Sequence, residues 1–266
     1  AIPTAITALL IHTLRLWLAT NLDGKPMLSG SAGTLFGVPV NVEAGFRWDD
    51  NVTRTGGINN KLGDGTYFLS ASASRAMSTS EHTRLRFTGT LDAEKFERYE
   101  GLDNISAGIG AELNYRADGA FGTPTYGVFT RFNWDEAESQ LRKGHRTSTG
   151  VNLRLPVSDR IDLFAVLSRN TRHAASSLFD TRHTSFKLNA DYQISSRGTL
   201  YGGGEHRRGD AVSSGLPLAD NAAIAEVFIA DDAFGNNRFT GYRYQARTTI
   251  WTLGYNLRLG NRDSLD

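Results

Sequence analysis

Eleven ionisable residues fall on alternate positions of stretches whose other parity is apolar: Glu43, Arg47, Arg84, Arg86, Glu112, Arg116, Arg131, Arg154, Lys187, Asp191 and Arg258. Charges carried on one parity of many strands line a water-filled path, which is how pores select solutes. Eight of the eleven are basic, so such a path favours anionic solutes. A second reading stands beside this one. In a narrow barrel, facing Arg and Glu side chains pair across the interior and fill it as a solid polar core.

A separate constellation has the residue types of nucleophilic catalysis. His183 and Ser185 share one strand face at two-residue spacing, with Thr184 between them and Asn189 further along. An imidazole base beside a hydroxyl is the minimal activated nucleophile. The pair is similar in type and spacing to the His-x-Ser arrangement of outer-membrane phospholipases, but that family's site faces lipid and this parity faces the interior. A two-residue match is frequent by chance, so the expectation is no enzyme, with lipid modification kept as an alternative. His82, His145, His173 and His206 fall near turns or loops, and no metal-ligand spacing repeats. The acids Asp135, Glu136, Glu138, Asp231 and Asp232 lie in loops without the spacing of a calcium site. Gly202, Gly203 and Gly204 lack the strand-to-helix context of a phosphate cradle and predict a bend or a close backbone approach. No cofactor and no metal are expected.

These residues are positioned by alternation. Val38, Val40, Val42, Ala44, Phe46 and Trp48 take one parity, while Pro39, Asn41, Glu43, Gly45 and Arg47 take the other. The pattern returns around 67–76, 84–92, 105–116, 126–134, 147–155, 161–167 and 183–194, and again at 249–259. It blurs where Phe164 and Val166 occupy the polar parity, and the glycine run makes the strand after Thr199 the least secure. Repeated half-apolar strands with aromatics near their ends predict an all-β, antiparallel up-and-down transmembrane β-barrel of ten to twelve strands. Connections alternate between short ones, as after Ala76, Arg116, Val157 and Ile194, and long ones, as after Trp48, Leu91, Trp134, Asn170 and Glu205. The longest irregular region is expected at roughly 207–242, with 222–229 a short strand or helix folded over the mouth.

Residues 1–35 are expected to be an amphipathic leader ahead of a barrel over 36–266. Within it, 3–21 reads as a helix through Ile6, Leu9, Leu10, Leu14, Trp17 and Leu18. Three readings of it stay open: a lumen plug, an interfacial helix, or a first hairpin. After Gly260 the chain looks like the start of another strand, so the last hairpin is read as incomplete.

Composition sets the outer limits. Hydrophobic content of 39% suits a barrel in which every second residue meets water, and no run approaches the roughly 20 apolar residues of a spanning helix. The absence of cysteine excludes disulfides and thiolate metal sites. With 29 basic and 28 acidic residues, no global field favours nucleic acid.

Residues 45–54, Gly-Phe-Arg-Trp-Asp-Asp-Asn-Val-Thr-Arg, resemble the first-hairpin signature of β-barrel porin families, including barrels associated with exopolysaccharide export and surface-lipoprotein assembly. The resemblance implies that Asp49, Asp50 and Asn51 sit where the first strand enters its external loop. It also implies a bacterial outer-membrane location and a role as a passive pore or as the barrel of a secretion or surface-assembly system. The expected partners are outer-membrane lipid, small anionic solutes or an exported polymer, and a periplasmic or surface protein. The rival is a structural anchor with a filled lumen that binds a partner protein.

Overall fold

The computed structural model describes residues 27–35, 38–56, 60–235, 238–258 and 263–265. The helix expected at 3–21 lies outside the described residues.

Alternation becomes a single antiparallel sheet. Its strands are β1 Met27–Leu35, β2 Val38–Asp49, β3 Asp64–Ser78, β4 Thr83–Phe96, β5 Asn104–Arg116, β6 Thr125–Ala137 and β7 Gly144–Ser158. They continue as β8 Ile161–Ala174, β9 Thr181–Gln193, β10 Gly198–Gly215, β11 Val227–Ala230, β12 Thr240–Arg258 and β13 Asp263–Leu265. From β1 to β10 each strand pairs with its neighbour in sequence. β10 then pairs with β12, β12 with β13, and β13 with β1. The pairings therefore run through twelve strands and return to the first. β11 is a four-residue addition beside residues 240–243 of β12. The return is short: three residues of β1 oppose β13, whereas β10 and β12 stay in register from Gly198↔Leu257 to Gly215↔Thr240.

Two boundaries differ from the sequence expectation, and the strand expected after Gly260 is present. The pairing starts inside the segment read as leader, because Met27–Leu35 forms a ladder with β2. Its Ser29, Gly30, Ser31 and Gly33 give no apolar alternation to read, and the ladder supplies what the sequence withholds. At the other end, Asp263–Leu265 is a strand, and it pairs with both β1 and β12. The irregular region also shrinks to 216–239, since β10 runs through Gly215 and β12 begins at Thr240. Both are long, at 18 and 19 residues, against the roughly 9–11 that cross a bilayer. The excess stands beyond the apolar zone, where lipid is no longer the neighbour and alternation has no cause, and its far end, Ser214, Gly215, Gly241 and Tyr242, is buried.

The outward face carries the large apolar side chains. Trp251, Leu253 and Ile109 are 81%, 78% and 72% exposed, in a band that also holds Phe87, Leu91, Val128, Leu188 and Phe186. Tyr115, Tyr126, Tyr192 and Tyr255 lie near the short-turn ends of their strands, and Trp48 and Trp134 near the long-loop ends. Such an apolar band between aromatic girdles is the surface a barrel shows to lipid. No described helix is long and apolar enough to cross a membrane. The glycine run keeps unbroken register with β9 and β12, and of the two readings the close approach holds: a Cβ at Gly203 would meet the Leu188 carbonyl oxygen at 2.7 Å and one at Gly204 the Trp251 ring at 2.9 Å.

Candidate functional site

The polar parity shares one face, as its contacts across intervening strands show. Arg47 Nη2 lies 3.0 Å from Glu94 Oε1 across β3, and Asn152 Nδ2 donates to Glu112 Oε1 at 2.8 Å across β6. This is the luminal face. Arg154 pairs with Asp162, and Glu43 is also engaged in a polar contact. Arg116 is drawn to the short-turn rim, where it donates to the Ala120 carbonyl at 2.7 Å. Arg84, Arg86, Arg131, Lys187, Asp191 and Arg258 are exposed. None of these six makes an ion pair within 4.0 Å among the described residues, although Lys187 lies opposite Glu205 on the neighbouring strand, Asp191 acts on the charge of Arg154, and Arg131 lies 4.7 Å over the Phe129 ring.

Exposure varies along the lumen. Ser106 and Asp135 are buried near the long-loop ends of their strands, and Phe129, Asn152, Ser168 and Ser185 are buried nearer mid-strand, among exposed Arg131 and Lys187. Arg146 grips Asp135 through two bonds of 2.7 and 2.8 Å, and Arg207 grips Glu205 at 2.7 and 2.9 Å.

The proposed nucleophile belongs to this packing. Ser185 donates to Glu205 Oε1 at 2.6 Å, and no hydrogen bond joins it to His183 among the described residues. A carboxylate already held by Arg207 fixes the hydroxyl, and the parity is luminal, away from lipid. Of the acids read as loop residues, Asp135 and Glu136 lie instead at the end of β6, because the strand runs on to Ala137; Asp135 and Asp231 are in ion pairs, and no cluster among the described residues could hold a metal.

The long-loop mouth is covered. Residues 216–239 leave β10, form helix α1 Ala219–Ile224 and strand β11, and return to β12. Asp231 sits at the centre with no exposed surface. It accepts two hydrogen bonds from Arg142 at 2.6 and 2.8 Å, one from the Ser214 hydroxyl, and one from the Ala233 N–H at 3.1 Å. Burial pushes its carboxyl up, but the Arg142 hydrogen bonds and charge, with Ser214 and Ala233, outweigh this and hold it below the usual carboxylate range. The neighbouring Asp232 accepts from Ser139 and from the Gln140 N–H. Phe234 meets Tyr99 edge-on at 5.4 Å, and Arg142 lies 4.1 Å over the Phe179 ring.

Neighbouring loops close the cover. A Cβ at Gly101 would collide with the Ala233 backbone, so glycine permits that approach. Leu178, fully buried, packs on Gly241. The Ser214 N–H donates to the Thr53 carbonyl at 2.8 Å, which ties the end of β10 to the β2–β3 loop. That loop is itself knotted. Asn51 Oδ1 accepts from Thr53 and from the Thr55 N–H, Asp49 pairs with Arg54 at 2.6 Å, and Arg54 takes a left-handed φ of 57°.

Arg142, Ser139, Ser214 and Phe234 were not singled out from sequence, because their partners are 89 or more residues away or lie in a loop without periodicity. The only local signal was the Asp-Asp-Ala-Phe-Gly stretch, where the Asp231 side chain caps a turn of 3-10 helix.

The ladder, the apolar band and the charged interior define a transmembrane antiparallel barrel with a capped mouth. No family model matches the chain, and no curated protein matches it. Among solved structures it is similar to in-vitro folded OmpT, an outer membrane protein of Vibrio cholerae, at 10% identity over 85% of this chain and 95% of that one, with a TM-score of 0.34.

Proposed function

We propose that the chain is a bacterial outer-membrane conduit for anionic solutes, open toward the short-turn, periplasmic end and closed at the external mouth by residues 216–239 acting as a lid. One observation carries this reading: luminal Arg84, Arg86, Arg131 and Lys187 remain exposed inside the ring, while Asp231 is fully buried above them. A filled lumen would have neutralised or buried those cations, since unpaired charge in a dry interior is costly. The long loops are placed outside because outer-membrane barrels have short periplasmic turns and longer external loops.

The resemblance of residues 45–54 supports a place in an export or surface-assembly system, and their loop joins the lid through Thr53 and Ser214. A second reading is favoured by the lid itself. A mouth pinned by a buried ion pair suits an anchor that never conducts and that binds a partner protein. Planar-bilayer recording of the wild type and of Asp231→Asn separates the two. Anion-selective steps that appear or grow in the variant support the lidded conduit. Silence from both folded proteins assigns the anchor.

A further inference from the structure

We infer that the outer wall of the barrel carries a binding site for the phosphorylated headgroup of an outer-leaflet lipid. This rests on the outer-membrane reading above. On β8, β9, β10 and β12 the outward parity changes character within one row of the ladder. Leu167, Phe186, His206 and Thr249 form one row; the next row toward the long loops is Arg169, Thr184, Arg208 and Arg247. Arg208 and Arg247 are directly opposed, an arrangement in which like charges destabilise a sheet unless an anion lies between them.

One row further out a cavity of about 590 Å³ opens on the same wall. Five arginines line it, Arg169, Arg172, Arg182, Arg208 and Arg243, against two carboxylates, Asp180 and Asp210. Both carboxylates are already engaged. Asp210 accepts from the Arg182 N–H at 2.7 Å and from Gln245, and Asp180 accepts from the Ala174 N–H at 3.1 Å and faces His173 at 3.3 Å. Arg243 is spent on the carbonyls of Ser177 and Asp180, and Arg169 on the Thr184 hydroxyl. Arg182, Arg208 and Arg247 are exposed and have no acceptor among the described residues.

Arg182 and Arg208 line the cavity and Arg247 stands directly opposite Arg208, three guanidiniums without an acceptor on one stretch of wall, and the guanidinium fork matches phosphate oxygens two at a time. The patch faces sideways, outside both lumen and mouth, and sits directly above Leu167, Phe186, Leu188 and Trp251. A free anion needs no apolar wall beneath it. A phosphorylated lipid does, because its acyl chains must lie there when its phosphate is bound.

The test uses the full chain folded in neutral detergent, with lipid A bearing both phosphates, its dephosphorylated form and inorganic phosphate as probes. Lipid A should raise the unfolding temperature of the wild type, and it should bind about tenfold or more weakly to the variant Arg182→Gln/Arg208→Gln/Arg247→Gln. Arg75→Gln, which removes an outward arginine near the short-turn end of β3, should bind as the wild type does. Without lipid the triple variant should unfold no earlier than the wild type, since a repulsion is gone; Arg208→Gln alone gives the same readout on a smaller change. Equal binding of both lipid forms, full binding by the triple variant, or inorganic phosphate matching lipid A at equal concentration overturns the site. Failure of the wild type to insert into vesicles is seen before lipid A is added, and it overturns the membrane reading on which the site depends.

Discussion

Arg142 and Asp231 are 89 residues apart in sequence and meet through two parallel hydrogen bonds of 2.6 and 2.8 Å. The pair joins the β6–β7 loop to the lid, and only 12% of the Arg142 side chain meets solvent. It is a buried cross-link whose loss breaks no rung of the ladder.

Asp231→Asn leaves Arg142 with Asp232, 3.5 Å away, as its remaining carboxylate partner, so the change costs less than the about 3 kcal/mol of a buried pair broken outright. The loss should be local. Limited proteolysis within 216–239 is expected to quicken while the barrel keeps its resistance to heat and detergent. An unchanged cleavage rate would show that the remaining contacts, Asp232 with Ser139 and Gln140 and Phe234 with Tyr99, hold the lid without the pair.

Acid should act on the same pair. The folded Asp231 carboxyl lies below its unfolded value, so its contribution is complete above the ordinary carboxylate range near pH 4. It is lost as pH falls through the lower folded value. Conductance measured against pH should therefore rise only in strong acid, below pH 4. In Asp231→Asn that step should vanish.

A steric route tests the lid without altering charge. In Gly101→Val the new side chain has no room against Ala233, so the lid must lift. Channel openings should become more frequent while ion selectivity stays as in the wild type. A closed channel in this variant would place the barrier below the lid.

Selectivity belongs to the lumen. Reversing Arg131 and Lys187 to glutamate places two acids on an exposed luminal wall, where fixed charge decides which ion enters. The reversal potential in a salt gradient should move toward that of a cation-selective channel. The same reversal at outward Arg75 should leave it unchanged.

Much of the barrel could be read from the chain, and the reason is geometric. Where a strand crosses an apolar zone, one parity must be greasy and the other wet, so residues 105–116 and 183–194 declare themselves. The rule weakens wherever lipid is not the neighbour. Residues 207–215 are strand, but they project past the apolar zone and carry polar side chains on both faces, so they read as loop. Met27–Leu35 failed for a different reason, since its small residues mark neither parity.

The luminal charges were legible as a set, because parity alone assigns them to a face. Their partners were not: nothing local says that Arg47 meets Glu94 or that Ser185 binds Glu205 rather than His183. The lid was foreseen as a short strand or helix over the mouth, but its fastening was invisible. Arg142 and Asp231 each look like ordinary loop charges until the fold brings two distant loops together.

The lid also has a sign. Residues 216–239 include Asp220, Glu226, Asp231 and Asp232 against a single base, Arg238. A gate that carries net negative charge does work against an applied field whenever it swings, on a scale of about 2.3 kcal/mol per charge for each 100 mV fully traversed. One polarity of applied voltage therefore draws the lid outward and the other presses it onto the barrel. The current through a single reconstituted molecule should be asymmetric about zero volts, so that the trace itself reports which way the protein is inserted.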